Sequence, residues 1–62
     1  MTRKDYILIS DTLRAQIAPI QGTNKVRDAI HNDYCRAIAG ALAADNPAFD
    51  RAKFLAACGV QS

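Results

Sequence analysis

Residues Asp45 to Gly59 carry a stop signal for one helix followed by the start and stop signals of another, and this punctuation constrains the chain more than any other feature. Pro47 disfavours helical geometry at Asn46 and so ends whatever helix precedes it. Asp50 can accept the orphan amide hydrogens of a new helix as its N-cap, and Phe49 before the cap with Phe54 at the fourth helical position predicts a hydrophobic staple. Gly59 suits the left-handed residue that closes a helix. A short helix from Arg51 to Cys58 is therefore predicted, docked onto longer helices.

Two such helices precede it. Tyr6, Ile9, Leu13 and Ile17 recur three or four residues apart, which predicts a helix from Thr2 to about Ala18 with one apolar stripe. A strand through Tyr6 to Ile9 is disfavoured, because apolar and polar residues do not alternate and no turn signal follows. Thr2 is the expected N-cap, with Asp5 placed for a capping box. Pro19 and Gly22 mark Ala18 to Gly22 as a short connection that makes the first two helices neighbours. The second helix is expected from a cap at Thr23 or Asn24 to about Asp45, with Val26, Ile30, Tyr34, Ala37, Ile38, Ala41 and Leu42 as its apolar face. Gly40 would cost that helix about 0.8 to 1 kcal/mol relative to alanine, so a close helix crossing is expected there. The fold class predicted is all-α: one domain over residues 1–62, with two longer helices and a short C-terminal helix as a lid.

Size bounds the function. A chain of 62 residues has a net stability of about 3 to 9 kcal/mol at typical values per residue, so self-association or a bound partner would add materially to it. A homodimer is among the partner states this allows. A walled catalytic pocket is hard to build at this length, and no enzyme activity and no cofactor are expected. The net charge of +2 comes from interspersed signs and does not mark a nucleic-acid binder. Lys25, Asn32 and Arg36 could face a major groove, but Asp28 and Asp33 dilute them, so nucleic acid ranks behind protein as a partner. No apolar run is long enough to cross a membrane, no signal peptide is recognisable, and the expected location is the cytoplasm.

His31 and Cys35 share a helix face at a spacing of four, with Cys58 as a further thiol. Two ligands without a paired-cysteine spacing do not make a zinc site, so free structural thiols and no metal are expected. Ile7 and Leu8 are apolar yet lie off the stripe of the first helix, so either the third helix or a partner must cover them. Asp33 sits at the margin of the apolar arc of the second helix, with Arg36 as its expected ion-pair partner. The partner-binding candidates are Tyr6, Ile7, Leu8, Arg14 and Arg36, the first three as apolar or aromatic anchors and the arginines as carboxylate partners.

The opening Met1 to Tyr6, together with Asp45 to Pro47, Phe49 to Arg51 and Phe54 to Gly59, resembles a family of short proteins encoded by bacteriophages and prophages. The resemblance implies an accessory protein that acts inside a bacterial cell by occupying a surface on a larger host or phage protein. It transfers no catalytic or binding residue.

Overall fold

Each helix begins at a side chain that caps it. α1 spans Arg3–Ile17, α2 Lys25–Asp45 and α3 Arg51–Ala57 in the computed structural model, which describes residues 1–60. The Thr2 hydroxyl accepts from the Asp5 amide while the Asp5 carboxylate accepts from the Thr2 amide at 3.0 Å, completing the capping box. The Asn24 side chain accepts from the amides of Val26 and Arg27, and Asp50 accepts from that of Lys53. α3 ends in a Schellman motif: Gly59 has φ +81°, its amide bonds the Ala56 carbonyl, and the Val60 amide bonds the Leu55 carbonyl. Among the described residues there is no strand, and the all-α architecture of two longer helices and a short third one is as predicted.

α3 is a wedge. It packs on both longer helices, whereas α1 and α2 touch each other least of the three pairs. The short connection thus does not make α1 and α2 close neighbours; α3 stands between them. Cys35, Ala39, Phe54 and Cys58 form the buried centre, surrounded by Tyr6, Ile9, Leu13, Ile38, Leu42, Phe49, Leu55 and Val60. The stripe predicted on α1 is therefore core. The connection is fixed by Gly22, at φ +84°, whose amide donates to the half-buried Asp28 carboxylate at 3.0 and 3.3 Å.

Two expectations for α2 are corrected. The face predicted to be buried is largely open: Val26 is 67%, Ile30 45% and Tyr34 65% exposed, and Ala37 and Ala41 are exposed too. The buried seam runs through His31, Cys35 and Ala39, with Ile38 and Leu42 beside it. The reason is tertiary: α3 docks along His31, Cys35 and Ala39, where the Cys58 carbonyl meets His31, and leaves the other side of α2 uncovered. No helix crosses at Gly40 either, since a Cβ built there would meet nothing within 4 Å. α2, at about 1.5 Å per residue, is nearly as long as the 34 Å principal extent of the molecule, so seven-residue α3 cannot cover it.

Candidate functional site

α1, α3 and the loop that precedes α3 line an apolar groove of about 490 Å³. Its floor is aromatic. Tyr6 and Phe49 stack at 4.7 Å between ring centroids and 58° between planes, and Phe49 meets Phe54 at 5.3 Å and 60°, the tilted arrangements that ring quadrupoles favour. The Phe49–Phe54 contact is the predicted staple. Asn46 donates to the Tyr6 hydroxyl at 3.2 Å and uses its carbonyl oxygen to accept the Ala48 amide at 3.1 Å, so the loop after α2 also holds the groove in shape. Met1, Ile7, Ser10 and Ala57 complete the apolar wall, with Arg3, Lys53 and Asp50 along the rim. The Asp50 side chain also caps α3, so the rim carries two positive charges and one negative.

The five sequence-chosen contact residues do not converge. Tyr6 is half-buried and lines the groove with its ring while its hydroxyl is tied to Asn46. Ile7 also lines it and is 51% exposed. Leu8, 66% exposed, lies about 100° further round α1 and faces away from the groove. Arg14 packs its stem near Gly59, and Arg36 stands on α2 in a 3.8 Å surface pair with Asp33, as expected. α3 thus covers neither Ile7 nor Leu8 fully. Sequence reasoning missed Met1, Arg3, Phe49 and Lys53 as lining residues. The staple offered the one usable signal, because a Phe49–Phe54 contact must lie beside the partner of the Tyr6 stripe.

The polar cluster on the inner seam of α2 has a different character. His31 Nε2 lies 2.8 Å from the Cys58 carbonyl and 3.5 Å from Cys35 Sγ. A carbonyl can only accept, so Nε2 carries the proton and donates. With Gln21 donating to the Gly59 carbonyl at 2.6 Å, the carbonyls of Cys58 and Gly59, just past the end of α3, are satisfied by side chains from elsewhere in the chain. Cys35 and Cys58 are unbridged and have no exposed surface. Burial, reinforced by the neighbouring Cys35, pushes the Cys58 thiol up to about 12, and burial raises Cys35 as well. Both are protonated near neutral pH and make poor nucleophiles or metal ligands. Among the described residues no three of His, Cys, Asp and Glu are gathered so as to hold a metal ion, and no helix is long and apolar enough to cross a membrane.

The Tyr6 hydroxyl is tied to Asn46, and the charged Arg3, Asp50 and Lys53 stand beside an apolar, aromatic lining. No protein-family model, curated protein or solved structure matches the chain.

Proposed function

We propose that this chain is a non-enzymatic accessory protein that binds a larger protein through the groove between α1 and α3. The observation that carries this reading is the groove itself: a preformed apolar surface with an aromatic floor and a half-exposed Ile7 at its wall. Such surfaces take an apolar anchor from a partner, and centrally placed large side chains contribute most of the binding energy. Arg3 and Lys53 on the rim favour an anchor flanked by carboxylates. The resemblance to phage and prophage proteins supplies the setting, a bacterial cytoplasm in which the partner is a host or phage protein.

The test is affinity capture from bacterial lysate with and without nuclease treatment, comparing the native chain with Ile7→Asp and with Leu8→Asp. Loss of a specific captured protein with Ile7→Asp, while circular dichroism stays helical and Leu8→Asp captures normally, supports the groove. Equal capture by all three chains sinks it. Capture abolished by nuclease would transfer the role to nucleic-acid binding.

A further inference from the structure

On α2, the side turned away from α3 carries Val26, Ile30, Tyr34, Ala37, Gly40 and Ala41, which with the adjoining alanines span an arc of about 140° at 100° per residue. Asp33 is the one ionisable side chain within it. The three large members are 45 to 67% exposed. Isolated apolar side chains on a surface need no explanation, but a continuous helical face of them marks a contact. The molecule as a whole shows the same deficit, exposing 4444 Å² where a compact monomer of 6.7 kDa would expose roughly 3900 Å².

We propose that this face is an interface between two copies of the chain, with their α2 helices packed antiparallel. The charges at its edge select a second copy and fix the direction. Arg27 and Asp45 differ by 18 in sequence, which is five whole helical turns, so they lie on one line along the same flank at opposite ends of α2. Among the described residues neither takes part in an ion pair. A two-fold axis running between the helices, level with Arg36, brings Arg27 of each copy level with Asp45 of the other. Parallel packing would set Arg27 against Arg27 and Asp45 against Asp45. The same axis gathers Asp33 and Arg36 of both copies into a cluster of two charges of each sign on the opposite flank, which accounts for a carboxylate within an apolar arc.

The shapes agree with this register. Tyr34 falls between Ala37 and Ala41 of the second copy, on the same flank as Arg27 and Asp45. Ile30 falls between Ala41 and Ala44. Large side chains in the first half of α2 thus meet small ones in the second half, twice over by symmetry, as an isologous contact requires. The alanines and glycine let the two backbones approach, and the two helix dipoles oppose each other. The groove between α1 and α3 stays outside this contact, so the dimer would display two grooves. The inference stands or falls independently of the role proposed for them.

The experiment is sedimentation equilibrium of the full chain from about 1 µM to 1 mM, a range that brackets weak and moderate association. The expected result is a concentration-dependent rise from 6.7 kDa to twice that mass. Ile30→Asp should weaken dimerisation at least about tenfold while the helical spectrum of the monomer is retained. Arg27→Asp alone and Asp45→Arg alone should each weaken it, and the double exchange should restore it. Both exchanges improve the charge at the helix ends, so loss of the dimer cannot be attributed to an unfolded α2. A monomer at every concentration overturns the proposal, as does a dimer indifferent to Ile30→Asp. A dimer that the double exchange fails to restore overturns the antiparallel arrangement.

Discussion

α3 has 7 residues and α2 has 21, yet the shorter helix organises the core and the longer one leaves half its circumference bare. α3 buries Phe54 and, at its C-cap, Cys58, and it contacts both other helices. α2 buries His31, Cys35 and Ala39 and exposes its larger apolar residues. The difference shows that burial here follows fit. The inner seam accepts a histidine because the Cys58 carbonyl needs a donor, and it accepts thiols and alanine because they let α3 come close. Val26, Ile30 and Tyr34 are more apolar but stay 45 to 67% exposed, because α3 does not reach their side of the helix.

The contrast can be broken most directly at Phe54. Removing its ring by Phe54→Ala should cost about 3 to 5 kcal/mol, comparable with the whole stability of about 3 to 9 kcal/mol expected at this length; loss of the helical signal at 222 nm checks it. The corresponding truncation on the bare face, Val26→Ala, should change a dilute monomer by no more than about 0.5 kcal/mol. Similar losses at the two sites would mean that the two helices are not so differently used.

Alkaline pH probes the inner seam next. Cys58 has a folded-state pKa raised to about 12, whereas an unfolded cysteine titrates near 8.5. Above about pH 8.5 the unfolded chain therefore releases a proton that the folded chain keeps, so stability is fully present below that pH and falls as pH rises towards 12. Urea midpoints measured from pH 7 to about pH 11 should decline only in the upper part of the range, and Cys58→Ala should flatten that decline. A midpoint independent of pH would show that the thiol is not sequestered.

His31→Leu keeps most of the volume but leaves the Cys58 carbonyl without its donor, and should cost about 1 to 3 kcal/mol in a thermal melt. The smallest effect has the opposite sign. Gly40→Ala adds a Cβ that meets nothing in the monomer and should raise the stability of dilute protein by up to about 1 kcal/mol. If a second copy packs closely along the open arc of α2 that holds Gly40, the same substitution should weaken self-association, which sedimentation would detect alongside the melt.

The helix boundaries were readable in the sequence because their causes are local: Thr2, Asn24 and Asp50 each cap within three residues, and Gly59 closes α3 by its own backbone freedom. The stripe on α1 was readable because its residues are large and regularly spaced. The buried side of α2 was not, since a helical wheel ranks residues by apolarity and cannot know from which direction a third helix will come. That choice of Val26, Ile30 and Tyr34 over His31 and Ala39 was reversed by the approach of α3. The groove was legible only in part. Tyr6 and Ile7 were chosen as contact residues, but Phe49 acts from a loop and Lys53 from another helix, and their meeting depends on tertiary packing.

The wedge position of α3 also bears on how the chain acquires its structure during synthesis. Until residues 51–60 have been made, α1 and α2 have few contacts with which to hold one another, and Cys35 and Ala39 lack the surface that seals them. A chain that has not yet added α3 is thus structurally uncommitted, and a product cut short before Phe54 would present an unlocked pair of helices to cellular proteases.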